Sequence, residues 1–176
     1  DNSGALRITV QQYFSVNSLN RLPDTQELAS VFSNTLLLND RILSVYLYNA
    51  DAKQIASMGK NFSIDTSKLN TDAVMNIRAS HLKSNEKRPY YELIFPVYDL
   101  NSIQYQKLLG TCVFVLEPES FDDTLQNAQS TEHAVVFLMD SSDCILASAG
   151  SSQSCGSTLA SEILHSTSEK YFFTQT

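Results

Sequence analysis

A short pattern that occurs twice constrains the fold of this chain more than any other feature. The first copy, VYLYNADAKQIASMG, begins at Val45, and the second, VFLMDSSDCILASAG, begins at Val136; they align without a gap. Each copy is an apolar run, a polar turn and a second apolar run, which is typical of a β-hairpin. A hairpin that recurs at domain-sized spacing indicates two related lobes in tandem. The alternative is that two unrelated hairpins share this common pattern by chance.

Composition and charge exclude several classes of protein. With 176 residues, 43% hydrophobic and 18% charged, the chain can form one large or two small packed domains. The net charge of −7 argues against a nucleic-acid-binding surface, and the densest basic stretch, 83–88, contains Glu86. The longest apolar run, 134–139, is too short to span a membrane. Because the chain opens at Asp1 in mid-pattern, we expect it to be a fragment of a longer protein.

The cysteines and histidines point to no metal site, no cofactor and no catalytic centre. Cys112 lies in an apolar strand and is expected to be buried. Cys144 and Cys155 flank a polar turn, and both a disulfide and two separate thiols stay open. No CxxC, GxSxG or HExxH motif occurs, and the three histidines are isolated in sequence (His81, His133 and His165). The domain is therefore expected not to be an enzyme.

The first forty residues are predicted to be helical. Between residues 5 and 20, apolar side chains such as Val10 and Phe14 recur at helical spacing. Pro23 interrupts this pattern, and a second helix is predicted from Asp24 or Thr25 to about residue 39. Together they form one long helical hairpin or a kinked helix. Its apolar stripe packs either on the sheet or on the same helix of a second copy.

The rest of the chain alternates hairpins with helices. After the first hairpin we predict a polar loop and a helix from about residue 71 to 82, with Val74, Ile77 and either Arg78 or His81 on one face. Strands follow at 90–98 and 108–116. The second hairpin is followed by a helix at 159–165 and the start of a strand, where the closing strands are missing. This order predicts an α+β fold built on an antiparallel sheet.

Four phrases carry a family resemblance: SVYLYNADAKQIAS, FPVYD, LLGTCVFVL and VVFLMDSSDCILASAG. The chain resembles the double Cache family, the extracytoplasmic sensor domains of bacterial transmembrane histidine kinases and chemoreceptors. The resemblance implies a long N-terminal helix packed on a PAS-like antiparallel sheet, followed by a second, smaller and incomplete PAS-like lobe. The implied segments are a helical segment at 1–41, a membrane-distal lobe at 42–118, a linker at 119–131 and a membrane-proximal lobe at 132–176. The amino-acid-binding subset carries Arg-x-Trp, and this chain has no tryptophan, so that specificity is not transferred.

The candidate binding residues lie on one face of the first sheet. Alternation along the hairpin places Val45 and Leu47 toward the helix and Tyr46 and Tyr48 on the other face, where PAS-like folds commonly hold a ligand. A buried Glu92 needs a partner, for which Arg78 or Arg88 is the natural candidate. The predicted pocket consists of Tyr46, Tyr48, Arg78, Tyr90, Glu92 and Tyr98. The alternative is that the tyrosines are core residues with hydroxyls at the rim and that Glu92 faces solvent.

The resemblance and this pocket together predict the ligand-sensing domain of a membrane-bound sensor histidine kinase on the extracytoplasmic face. Its partner would be a small polar solute (a sugar, amine or organic acid) or a solute-binding protein, with a homodimer through the N-terminal helix. The second lobe has few polar residues beside Phe137 and Met139 and is expected to be unliganded. A chemoreceptor input domain is the nearest alternative. A protein-binding adaptor without a small-molecule ligand is the alternative from another class.

Overall fold

The computed structural model describes residues 8–14, 25–69, 75–80, 88–99, 107–131, 134–140 and 144–150. The chain divides into two compact units, Asp1–Ser120 and Phe121–Thr176. The described residues of the first unit form two helices, α1 (residues 8–14) and α2 (Thr25–Leu38), and five strands. The strands are β1 (Ile42–Asn49), β2 (Gln54–Gly59), β3 (Asn76–Ala79), β4 (Tyr91–Tyr98) and β5 (Leu108–Leu116). The predicted α+β class is confirmed.

The five strands form one antiparallel sheet in the order β2-β1-β5-β4-β3. The central strands β1 and β5 are buried on both faces, because residues of alternating parity enter two separate clusters. Val45 and Leu47 lie in a core with the helices, whereas Tyr46 and Tyr48 lie in a second cluster on the opposite face. The predicted division of the first hairpin into an aliphatic and an aromatic face is confirmed.

The helices cover the aliphatic face. Val10 and Phe14 of α1 and Leu28 and Phe32 of α2 are buried against it. On α2, buried side chains recur at helical spacing, and the Asn39 side chain ends the helix by donating to the Thr35 carbonyl oxygen over 3.0 Å. The stripe on α1 therefore packs on the sheet of its own chain. None of the helices in the described residues has the length and hydrophobicity to cross a membrane.

Residues 76–79 correct one prediction. They form strand β3, not part of a helix at 71–82, and they pair with β4 through Arg78 opposite Glu92 and Ile77 opposite Leu93. Only a few apolar positions supported the predicted helix. In the sheet, by contrast, each of these residues pairs with a residue of β4, and Arg78 lies opposite a carboxylate. Val74 and His81 lie outside the described residues.

In the second unit, α3 (Asp122–Ala128) precedes a two-stranded sheet of β6 (Val136–Met139) and β7 (Ile145–Ala149). The segment predicted as a linker at 119–131 thus contains a helix. Cys144 is a free thiol. Its candidate partner Cys155 lies outside the described residues, as do the helix predicted at 159–165 and the strand predicted after it.

The two repeated hairpins have the same internal geometry. Each register shifts at the same offset, between Leu47 and Tyr48 in the first and between Leu138 and Met139 in the second. In the first turn the Asn49 side chain accepts from the backbone nitrogen of Lys53 over 2.9 Å. In the second, the equivalent Asp140 accepts from Cys144 over 3.0 Å. The Asn/Asp substitution in the repeat therefore preserves one acceptor that fixes the turn.

Both copies also end on a glycine that the geometry requires. Gly59 and Gly150 have φ angles of 101° and 73°, in the left-handed region. A Cβ at Gly59 would lie 2.2 Å from the Leu43 carbonyl oxygen, and a Cβ at Gly150 would lie 2.4 Å from that of Ala134. The two glycines therefore occupy equivalent positions, at which a residue with a Cβ would be strained.

Gly59→Ala should lower the free energy of unfolding of the first unit by about 1–3 kcal/mol, because it combines a positive φ with a backbone collision. Ala52→Gly is the matched control, since Ala52 has a φ of 56° and glycine relieves that strain. Chemical denaturation should show opposite shifts of the midpoint. A Gly59→Ala protein as stable as the wild type would show that this end of β2 is not built as described.

Candidate functional site

The candidate site lies on the sheet face opposite the helices, which we call the aromatic face. Its buried cluster contains Tyr46, Tyr48, Ile94, Val113 and Val115, with Leu69 from a following loop. The rings of Tyr46 and Tyr48 stack with centroids 6.3 Å apart, and Tyr90 packs at the edge of the same cluster. Tyrosines on one strand meet because alternate residues of β1 share this face.

A buried ion pair lies on the same face. Arg78 and Glu92 are directly opposite in the β3–β4 register, and Arg78 Nε donates to Glu92 Oε2 over 2.6 Å. Glu92 is only 3% exposed. Of the two predicted partners, Arg78 and Arg88, it is Arg78 that pairs with Glu92, and the alternative of a solvent-facing Glu92 is wrong. Arg88, the other candidate partner, instead lies 3.8 Å from Glu119 at the surface.

Residues 60–69, which we call the strap, cross the aromatic face. At the first end of the strap, the Ser44 hydroxyl donates to the Lys60 carbonyl oxygen. The Tyr46 hydroxyl accepts from the Phe62 backbone nitrogen over 2.6 Å and donates to the Lys60 oxygen over 3.1 Å. The Phe62 ring meets that of Tyr90 edge to face at 4.9 Å. The polar atom of Tyr46 is therefore committed to holding the strap.

The second end of the strap is a 3₁₀ turn, Thr66–Lys68, capped by the Asp65 side chain. Arg78 Nη2 donates to the Asp65 carbonyl oxygen over 2.6 Å. The turn delivers Leu69 into the cluster, where it is 1% exposed. Apolar residues of the strap thus fill the space above the sheet, and Arg78 joins the strap to the sheet.

Neither the Tyr48 hydroxyl nor the second carboxylate oxygen of Glu92, Oε1, has a hydrogen bond to a described residue. Burial, with the nearby Tyr46 and Glu92, raises the pKa of Tyr48 to about 12, and Arg78 opposes that rise. The Tyr48 hydroxyl therefore stays protonated and can donate, while Glu92 can accept. One donor and one acceptor thus lie beside stacked rings, which are the kinds of group that orient small ligands in proteins.

The structure brings together five of the six predicted residues: Tyr46, Tyr48, Arg78, Tyr90 and Glu92. Tyr98 ends β4 beyond a register shift, and its backbone oxygen accepts from Gln11 of α1 over 2.9 Å. Among the described residues, the cluster of the aromatic face does not include it. The strap was not predicted. Two features of the sequence indicate it: the apolar Phe62, Ile64 and Leu69 inside a polar loop, and the capping sequence that starts at Asp65.

A concave surface lies at the turn of the first hairpin. It is an open groove with a volume of about 490 Å³. The residues that line it are Phe14, Asn49, Ala50, Asp51, Lys53, Gln54, Ile55, Lys107, Leu108 and Leu109. The Asn49 side-chain oxygen facing this turn is already bonded to the backbone nitrogens of Asp51 and Lys53. The groove is thus separate from the predicted pocket and shares none of its residues.

Within the described residues, no group of three or more His, Cys, Asp or Glu side chains is arranged to hold a metal ion. All three histidines lie outside those residues. Cys112 is 2% exposed, and burial raises its pKa to about 12. It is therefore a core residue, as predicted.

No protein-family model matches the chain, and no curated protein sequence matches it. It is similar in structure to an extracellular ligand-binding receptor from Desulfohalobium retbaense, with a TM-score of 0.53 and 11% identity over 90% of this chain. It spans 29% of that receptor, and the similarity shows a shared fold.

Two chemoreceptor domains match with lower scores. They are the ligand-binding domain of Pseudomonas fluorescens CtaA with L-isoleucine (TM-score 0.46, 13% identity) and that of Pseudomonas aeruginosa PctC with GABA (TM-score 0.44, 15% identity). The alignments cover 80% of this chain in both cases, and 57% and 70% of those chains.

The Tyr48 hydroxyl should titrate later than an ordinary tyrosine. Because its pKa rises from 10.0 to about 12 in the folded protein, the protonated form is stabilised by folding. That contribution to stability is fully present below pH 10 and is lost as the pH rises toward 12. An ultraviolet titration of tyrosinate should show a late phase that Tyr48→Phe removes.

Tyr13→Phe, a substitution on α1 outside the aromatic face, is the control and should leave the late phase in place. A late phase that persists in Tyr48→Phe would contradict the assignment.

Proposed function

We propose that the first unit is the ligand-sensing domain of an extracytoplasmic receptor and that it binds a small polar solute on the aromatic face. The observation that carries the proposal is a donor and an acceptor beside the stacked tyrosines, the Tyr48 hydroxyl and Glu92 Oε1, neither of which is bonded to another described residue. The fold shared with an extracellular ligand-binding receptor supports it. In this proposal the domain itself is not catalytic.

The charges on this face favour an amine or a sugar over an organic acid. Arg78 already donates to Glu92 and to the Asp65 carbonyl oxygen, so its guanidinium is committed on two sides. What remains is an anionic acceptor, a neutral hydroxyl and aromatic ring faces. Ammonium groups and hydroxyls can donate to the carboxylate, and cations and sugar rings also pack on aromatic faces. A ligand carboxylate would be repelled by the Glu92 carboxylate, and the Arg78 guanidinium beside it already donates to Glu92 and Asp65.

We propose, from the double Cache resemblance, that the parent protein is a transmembrane sensor histidine kinase and that the β6–β7 hairpin belongs to a second, unliganded PAS-like lobe at 132–176. A chemoreceptor would use the same input chemistry. A homodimer through the N-terminal helix would have to use the side of α1 that carries Ile8, which is 55% exposed, because Val10 and Phe14 face their own sheet.

Thermal-shift screening of the chain against small amines, sugars and organic acids tests the proposal. A solute at a hundred times its Kd should stabilise the protein by about 2.7 kcal/mol. We expect amines or sugars to stabilise it and organic acids to have no effect. An adaptor that binds only protein would show no stabilisation by any of these solutes.

The site is tested by Glu92→Gln, with Glu119→Gln as the matched control. Both substitutions remove one carboxylate that neighbours an arginine, but Glu119 lies at the surface. Calorimetry on a solute found in the screen should show binding weakened about tenfold to a hundredfold by Glu92→Gln, the cost of one hydrogen bond to a charged group. Glu119→Gln should bind as the wild type does. Equal affinity in all three proteins would place the ligand elsewhere.

A further inference from the structure

The strap is attached to the sheet by different groups at its two ends. Near residue 60, the hydroxyls of Ser44 and Tyr46 hold its backbone, and both belong to the central strand β1. At the other end, Thr111 Oγ1 reaches the Leu69 carbonyl oxygen at 3.5 Å, the limit of a hydrogen bond. Arg78 makes a much shorter contact there, 2.6 Å from Nη2 to the Asp65 carbonyl oxygen. Arg78 therefore supplies the strong polar contact at this end.

One planar group makes both contacts. Nε of Arg78 is held by Glu92, and Nη2 of the same guanidinium is held by Asp65. Because the guanidinium is rigid, the position of the Glu92 carboxylate determines where Nη2 points. Asp65 in turn accepts from the nitrogen and the hydroxyl of Ser67 over 3.0 and 2.6 Å, which fixes the turn that leads to Leu69. A continuous set of contacts thus runs from Glu92 to the buried Leu69.

We propose that Arg78 is a positioning residue, which we call the latch, that holds the strap closed over the aromatic face. Its hold on the strap depends on whether the Glu92 carboxylate is bonded to Arg78 or to a solute. Its role as a gate for a solute rests on the proposed function. Tyr48 and Glu92 are each 3% exposed, and among the described residues the strap packs on the cluster that contains Tyr48, so the position of the strap controls how far a solute can approach this face. A solute that engages the Glu92 carboxylate reorients the guanidinium and changes its hold on Asp65.

Hydrogen exchange on the chain without any solute tests the latch. Arg78→Lys keeps a positive charge beside Glu92, but an ammonium lacks the rigid fork that reaches both partners. Amides of the strap should exchange about tenfold faster than in the wild type, while amides of β1 and β5 keep their rates. Arg88→Lys, at the surface pair with Glu119, is the control and should leave the strap unchanged.

Arg78→Gln, whose single amide group cannot serve both partners, is the second variant and should also loosen the strap selectively; circular dichroism establishes that each variant is folded. Unchanged strap exchange in a folded variant would overturn the proposal. Equal acceleration throughout the sheet would also overturn it, because Arg78 would then be a general stabilising residue. Since no solute is present, failure of the ligand screen leaves this measurement valid, and unchanged exchange leaves the ligand proposal standing.

Discussion

Burial of the central strands on both faces is the constraint on which the first unit depends. A strand in this position must present compatible residues to two different layers at once, and β1 does so by strict alternation. Val45 and Leu47 meet the helices, where only apolar contact is needed. Tyr46 and Tyr48 meet the strap, where hydroxyls find backbone partners or remain available. A shift of one residue would place tyrosine hydroxyls against the helices, so the same alternation that stabilises the sheet fixes its register.

The cost of burying charge explains the contact between Arg78 and the strap. A carboxylate as buried as Glu92 is unfavourable unless it is paired, and pairing alone repays the desolvation only when further hydrogen bonds satisfy the partner. Arg78 pairs with Glu92 through Nε and makes a further hydrogen bond from Nη2 to the Asp65 carbonyl oxygen. Replacing the pair by apolar residues would remove the desolvation cost, but it would also remove the acceptor of the proposed ligand site and the contact of Arg78 with the strap. The proposed recognition and the contact with the strap therefore explain the pair better than stability does.

The sequence predicted the features that depend on short-range patterns. Alternation in the first hairpin predicted the two faces, and the cost of an unpaired Glu92 predicted an arginine partner, Arg78 or Arg88, of which the structure pairs Arg78. The prediction was wrong at residues 76–79, because their few apolar positions fit a helix as well as a strand. Pairing with β4, which is distant in sequence, determines the structure there. The strap was missed for the same reason. Its sequence is that of a polar loop, and only the burial of Phe62 and Leu69 against a distant face gives it a role.

The repeated hairpin shows which parts of the pattern serve the fold and which are free to serve a function. The turn acceptor, the register shift and the final glycine are the same in both copies, because each satisfies a local backbone requirement that no neighbouring element can replace. The residues between them differ: where the first copy has Tyr46 and Tyr48, the second has Phe137 and Met139. Losing both hydroxyls leaves the hairpin geometry unchanged, so the hydroxyls are not needed to build it. Their presence in the first copy therefore requires a local explanation, and it is there that the strap, the buried ion pair and the free Tyr48 donor meet.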